Sequence, residues 1–317
     1  MTVKGKTLKP GGTIGVPAPA SPYFNRSELL RGVDWWEAKG YRVKLGSGIH
    51  DRDNYVAGDA EVRGADVMSM FTDDEVDVVQ CFQGGYGSQQ IIPFLDFDAI
   101  RANPKPFIGY SDITALHTAF RHYTDMVTFY GPGIAGVNDI ETKKLTQERL
   151  LLALTSSEPL GDVPRNPEDD YIRPLGAGTV SGQMVGGCLW LLMQAIGTPW
   201  QLNPEGKILF FEDVEAPAWY IDGILNQMKQ IGMLDRVIGV VVGELEKCDW
   251  REDRPEWPQT KSIEDVLEAY IEPLGVPAIY GLPMGHGKHL ATTPLGVEVT
   301  LDADRRRLTI DEPALVD

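Results

Sequence analysis

Apolar positions in the first half of the chain switch repeatedly between continuous runs and helical stripes. "TIGVPA", Thr13 to Ala18, is an apolar run halted by prolines and reads as a short buried strand. Leu29, Leu30, Val33 and Trp36 then recur at helical spacing, which predicts a helix from about Ser27 to Lys39 closed by Gly40. "YRVKL" predicts a second strand, and Val62, Ala65, Met68 and Phe71 a second helix. "VDVVQCF", ending at Phe82, and "PFIGY" follow as third and fourth strands, and Ile113, Leu116, Phe120 and Tyr123 mark the next helix. This alternation is that of an α/β domain with a mainly parallel sheet, where ligands bind beyond the carboxyl ends of the strands.

From Ser156 to Gly178 the periodicity stops, and proline, glycine and acidic residues predominate. The predicted organisation is an N-terminal α/β domain over 1–155, a connection over 156–178, and a C-terminal domain over 179–317. In the last of these, "KILFFEDV" and "VIGVVVGEL" read as strands, each followed by a helix. Ile221, Ile224, Leu225, Met228 and Ile231 share one face of the first of those helices. "GVEVTLDADRRRLTI" predicts two strands around a turn at Asp302 to Asp304, so the second domain is the richer in β-structure.

Composition narrows the partners. Among 317 residues, 29 Lys and Arg face 46 Asp and Glu, a net charge of −17. Nucleic acid and anionic membranes require a positive footprint, so neither is expected. No apolar stretch has the length of a signal peptide or a bilayer span. Three widely spaced cysteines, Cys81, Cys188 and Cys248, fit a reducing cytoplasm better than a disulfide framework. The five histidines show no ligand spacing, so no metal is expected; the glycine loop lacks a dinucleotide fingerprint, so no coenzyme is expected either.

Three stretches carry candidate chemistry. "FIGYSDITALH" sets Ser111 between a strand and a helix. That is the geometry of a nucleophile elbow, although Ile113 stands where G-x-S-x-G has its second glycine. The same position suits a serine that caps the helix by accepting the Thr114 amide. "CFQGGYGSQQIIPFLD" follows a strand with Gly84, Gly85 and Gly87, whose backbone amides suit half of an oxyanion hole. Cys81 at its start is either a rival nucleophile of glutaminase type or a small buried hydrophobe. In the second half, Glu212 ends an apolar strand, where a carboxylate needs a partner. His286 lies between Gly285 and Gly287, free to point into a cleft; His289 lacks those flanks, and His50, His117 and His122 have no motif around them.

Taken in order, these stretches resemble the LD-carboxypeptidase family of serine peptidases, which includes the microcin C self-immunity peptidases. The matching segments are "LKPGGTIGVPAPAS", "GGYGSQQIIPFLD", "IGYSDITALH" with "FYGPGIA", "GQMVGGCLWLLMQAIGTPW", "LFFEDVEAPAWYIDGILNQM" and "GHGKHLATTPLGVEVTLDAD". The resemblance implies a flavodoxin-like or class I glutaminase-like parallel sheet for the first domain. It also implies a Ser111–His286–Glu212 triad, an oxyanion hole of the Gly85 and Asp112 amides, a homodimer, and no cofactor. Gly84, Tyr86, Gln83, Gln90 and Trp219 are the expected substrate contacts. Murein-directed members often carry arginine where this chain has Gln83 and Gln90, and asparagine is usual where it has Cys188. An arginine pairs bidentately with a carboxylate, so the departure bears on the substrate and leaves the triad intact. A murein tetrapeptide losing its terminal D-alanine is one expected substrate, and a peptidyl- or aminoacyl-sulfamoyl adenylate is the other. Trp219, Tyr220, Trp250 and Trp257 are candidate aromatics for the cleft rim, and a binding protein without chemistry is the third reading.

Overall fold

The computed structural model describes residues 2–138, 143–249 and 261–317. The four strand runs read in the first half become β1 (Thr13–Val16), β2 (Arg42–Leu45), β3 (Val78–Gln80) and β4 (Phe107–Gly109), and a fifth strand that the sequence did not mark, β5 (Thr128–Tyr130), joins them in parallel. Their order, β2-β1-β3-β4-β5, is that of a flavodoxin-like sheet. The first helix spans Arg26–Ala38; Asn25 caps it by accepting from the Ser27 amide, and Gly40 ends it with φ +83°.

Among the described residues nine further strands follow in chain order: β6 (Gly161–Asp162), β7 (Arg173–Pro174), β8 (Thr179–Cys188), β9 (Ile208–Val214), β10 (Gly239–Glu246), β11 (Ala278–Gly285), β12 (Thr293–Leu295), β13 (Glu298–Asp302) and β14 (Arg307–Ile310). Eight of them form the second sheet, ordered β6-β14-β13-β8-β9-β10-β11-β7. Its centre, β8 to β11, is parallel, and its flanks are antiparallel. Two features differ from the expected partition. The proline-rich segment 156–178 supplies both edge strands of this sheet, β6 and β7. In addition, β12 pairs antiparallel with β5 and closes the edge of the first sheet.

The two sheets share a core. One apolar cluster runs from Ile14, Val78 and Ile108 through Phe129 and Tyr130 to Phe210, Met284 and Leu301. At this seam the Tyr130 and Phe210 rings meet edge to face at 5.2 Å. The carboxyl ends of β4 and β5 are thereby held against the carboxyl end of β9.

His117, on the helix Thr114–Thr124, is a buried structural histidine. Its Nε2 donates to the Gly109 carbonyl at 2.9 Å, and its buried Nδ1 has no partner among the described residues. Burial therefore pushes its pKa down to about 4, against a reference of 6.5. A depressed imidazole binds fewer protons folded than unfolded, so its stabilisation is complete above 6.5 and is lost as pH falls toward 4. The full loss amounts to roughly 3 kcal/mol. Urea denaturation of wild type and His117→Gln between pH 7.5 and 4.5 should show the variant missing this share of the acid sensitivity; parallel curves would contradict the assignment.

Candidate active site

Beyond Gly109 the chain turns sharply at Ser111, whose φ is +61°. A non-glycine residue in the left-handed region costs about 1–3 kcal/mol and persists only where its surroundings enforce it. Here a single-turn helix, Ser111–Ile113, leads directly into the helix Thr114–Thr124. The Ser111 amide donates to the Tyr130 hydroxyl at 3.1 Å, which ties the turn to the end of β5. Tyr110 and Ile113 occupy the capping positions of these helices, with no side-chain cap bond at either. Ser111 is therefore no helix cap, and its partly exposed hydroxyl makes no hydrogen bond among the described residues. This strained strand-to-helix serine is the geometry of a nucleophile elbow.

Glu212, fully buried, lies in β9 beside Cys188 of β8. Its cost of burial is met by three donors. His286 Nδ1 is 2.6 Å from one carboxylate oxygen, the His286 amide donates to the same oxygen at 3.2 Å, and the Tyr130 hydroxyl donates to the other. Strand β10 separates β9 from β11, yet the two ends meet because β10 shifts register between Val242 and Glu244. Gly243 sits at that shift, where a Cβ would overlap the Met284 carbonyl. The glycines flanking His286 have a related cause. A Cβ on Gly285 would lie 2.5 Å from Glu212 Oε2, and one on Gly287 would overlap Glu244 Oε2. They leave room for carboxylates as well as freedom for the loop.

Burial lowers the pKa of the His286 imidazolium, but the charge and hydrogen bond of Glu212 outweigh it, and the net shift is upward. With Nδ1 held by Glu212, Nε2 is the nitrogen left to exchange a proton. Asp213, next in β9, is pushed up to about 6 by burial and by the charge of Glu212. Burial, with the Glu212 charge, raises the Tyr130 hydroxyl well above its usual range, so it stays protonated and donates.

The glycine loop after β3 packs on the serine turn. A Cβ on Gly84 would stand 2.9 Å from Ser111 Cβ and 3.2 Å from the Asp112 amide. The Gly85 and Asp112 amides make no hydrogen bond among the described residues. The buried Asp112 carboxylate accepts from the Ser88 amide at 2.8 Å, and Ser88 Oγ donates to the Asp112 carbonyl at 2.6 Å, locking loop to turn. Gly85 and Ser111 line a cleft of about 420 Å³ with Trp190, Trp219 and Tyr220. His286 and Tyr110 line a second cleft, of about 610 Å³, with Lys143, Lys247 and Lys288, and Val214 borders both.

The other singled-out residues lie as follows. Gln83 donates to the Pro22 carbonyl at 2.7 Å, while Gln90 accepts from Arg63 at 2.7 Å. Arg63 is itself 1% exposed and bonded to the Pro19, Gly58 and Gly87 carbonyls, so it braces the loop from beneath. Tyr86 is exposed and meets Tyr55 edge to face at 5.3 Å. Cys81 is fully buried and its thiol pKa is driven well up by burial, which removes it as a nucleophile. His289 is buried, His50 bonds the Tyr23 hydroxyl at 2.9 Å, and His122 is exposed. Trp250 and Trp257 lie outside the described residues. Among the described residues no group of three potential ligands could hold a metal ion, and no helix is long and apolar enough to cross a membrane. Tyr130 went unnoticed in the sequence. "FYGPG" gave a signal, a tyrosine at the end of an apolar run before a glycine-proline turn, but nothing there pointed to Glu212.

Comparison with known proteins bears on both halves. Residues 14–131 match the LD-carboxypeptidase N-terminal domain and residues 181–301 the LD-carboxypeptidase C-terminal domain. A probable murein peptide carboxypeptidase of Bacillus subtilis is 36% identical, over 98% of this chain and 95% of that protein. The microcin C7 self-immunity protein MccF of Escherichia coli is 29% identical, over 97% of this chain and 95% of that protein. A solved structure of an active-site mutant of MccF in the apo state superposes with a TM-score of 0.90 at 26% identity, covering 99% of each chain.

Proposed function

The chain belongs to the LD-carboxypeptidase family and is a serine-type carboxypeptidase, and from that premise we propose that it releases the terminal D-amino acid of a murein peptide through Ser111, His286 and Glu212. In this reading Ser111 Oγ attacks the scissile carbonyl as its proton passes to His286 Nε2, and the Gly85 and Asp112 amides receive the oxyanion. The C–N bond then breaks, the leaving amine takes the proton from His286, and an acyl ester on Ser111 remains. Water adds to the ester by the same relay and frees the enzyme. Glu212 holds the imidazole tautomer and stabilises the imidazolium. Ser111 Oγ and His286 share no hydrogen bond among the described residues; in free hydrolases such a bond often forms fully only with substrate.

The observation that carries this reading is the Ser111 elbow, bonded through Tyr130 to the carboxylate that grips His286. The surroundings of His286 add support on the substrate. Its proton goes to the leaving amine, so the leaving group belongs on its side of the site. That cleft carries Lys143, Lys247 and Lys288 against one carboxylate, Glu246, and this excess of positive charge suits the carboxylate of a departing amino acid. Lys143 and Lys288 each also lie 3.2 Å from the exposed carboxylate of Glu168, so part of their charge is already paired.

Incubation with L-alanyl-γ-D-glutamyl-diaminopimelyl-D-alanine should release D-alanine, detectable by a coupled D-amino-acid oxidase assay. No release alongside an active control enzyme would refute the murein reading. A second reading rests on Trp219, 48% exposed in the cleft with Ser111. A related MccF structure holds aspartyl sulfamoyl adenosine, and Trp219 could stack a base. Hydrolysis of that compound without D-alanine release would favour the detoxifying amidase.

A further inference from the structure

Building on the serine-hydrolase reading, we propose that Ser21 is a positioning residue for the oxyanion hole, setting the peptide plane that carries the Gly85 N–H. Ser21 lies in "APAS", beyond the carboxyl end of β1, and is 7% exposed. It bonds both neighbours of Gly85. The Ser21 amide donates to the Gly84 carbonyl at 3.2 Å, and the Tyr86 amide donates to Ser21 Oγ at 3.1 Å. Ser21 Oγ in turn donates to the Tyr55 carbonyl at 2.8 Å, so the hydroxyl is used as donor and acceptor and its direction is fixed.

The consequence for Gly85 follows from peptide geometry. The Gly84 C=O and the Gly85 N–H belong to one trans peptide and point in opposite directions. With the carbonyl drawn toward Ser21, the N–H faces away from it. A Cβ on Gly84 would meet Ser111 Cβ, the Tyr110 carbonyl and the Asp112 amide within 3.2 Å, so the serine turn lies against this peptide, and in the proposed role the freed N–H is directed to that turn. Gly85 has φ +103°, and a Cβ there would overlap Ser21 Oγ and stand 2.7 Å from Ser21 Cβ. Only glycine admits Ser21 this close while keeping the plane turned. Asp112 locks the far end of the same loop through Ser88, leaving Ser21 to hold the near end.

Ser21→Ala keeps the backbone bond to Gly84 and loses both hydroxyl bonds, so the donor is loosened and not removed. The readout is the rate at which a fluorophosphonate phosphonylates the enzyme, a reaction that needs the same hole and no knowledge of the natural substrate. The Oγ–P bond forms, the P–F bond breaks, fluoride leaves, and the Ser111 proton passes to His286. Loss of one full donor costs about 10²–10³ in rate, so Ser21→Ala should react roughly 10- to 100-fold more slowly. Ser21→Thr, which keeps the hydroxyl, should react near the wild-type rate, with the thermal midpoint of Ser21→Ala close to wild type. On a tetrapeptide the loss should fall on kcat and leave KM within about threefold. A wild-type rate in Ser21→Ala would overturn the inference, as would equal losses in the Ala and Thr variants with lowered midpoints. Ser111→Ala separates the two levels. If Ser111→Ala is inert while Ser21→Ala is unimpaired, only the positioning role fails; if Ser111→Ala still reacts, the serine reading fails and this inference falls with it.

Discussion

Ser111→Ala should lower kcat on a hydrolysed substrate by on the order of 10⁴- to 10⁶-fold, leaving only what binding and the oxyanion amides provide. Neither the Gly85 nor the Asp112 amide depends on the serine side chain, so affinity for the ground state should change little. A companion variant exposes the conformational cost. Ser111 holds φ +61°, which glycine adopts without strain. Ser111→Gly should be as inactive as the alanine variant yet gain about 1 kcal/mol of stability, read by urea denaturation. Equal stability of the Gly and Ala variants would mean that the turn stores no strain.

Tyr130→Phe should produce the second large effect. The phenol is the shared partner of the Ser111 amide and of Glu212, so its removal leaves the half-buried Ser111 amide without that acceptor and the fully buried Glu212 with one donor fewer. A buried group left unsatisfied costs about 1–3 kcal/mol. Expressed in the transition state, that corresponds to a loss of roughly 10- to 100-fold in kcat. The pH profile gives a readout that packing alone would not move. In the proposed mechanism His286 must be neutral to accept the serine proton, and its pKa lies above the usual 6.5. The acid limb of kcat/KM should therefore fall above that value, with activity rising as pH increases through it. In Tyr130→Phe, Glu212 loses a donor and binds the imidazolium more strongly, so the limb should move to higher pH. Glu212→Gln removes the charge, and the limb should move down. An acid limb unmoved by both variants would disconnect Glu212 and Tyr130 from the base.

The sequence was informative where one signal ruled and silent where signals conflicted. The strands β1 to β4 stood out as apolar runs bounded by helical stripes. By contrast β8, with "SGQMVGG", and β11, with "YGLPMG", carry glycines and a proline that suggest loops. They hold as strands because neighbours on both sides pair with them, a tertiary override of weak local propensity. The edge strands β6 and β7 are two residues each and leave no periodic trace. The passage of β12 into the first sheet depends on contacts with β5, more than 160 positions away in sequence.

At the site, residue type could be read locally and residue geometry could not. A serine between strand and helix was visible, but only the backbone separates a cap at negative φ from an elbow at φ +61°. The glycines around His286 were visible as flexible flanks, whereas their second purpose, space for Glu212 and Glu244, required the fold. Tyr130 and Ser21 were missed for a common reason. Each acts through groups on segments distant in sequence, and such partners leave no spacing pattern.

The proposed relay from Glu212 through His286 to Ser111 is tested most directly by mapping the covalent adduct. Wild-type protein treated with a fluorophosphonate, digested and analysed by tandem mass spectrometry should carry one phosphonyl group, on the peptide containing Ser111, and His286→Ala should remain almost unlabelled. Labelling at another residue, or undiminished labelling of Ser111 in His286→Ala, would contradict the account.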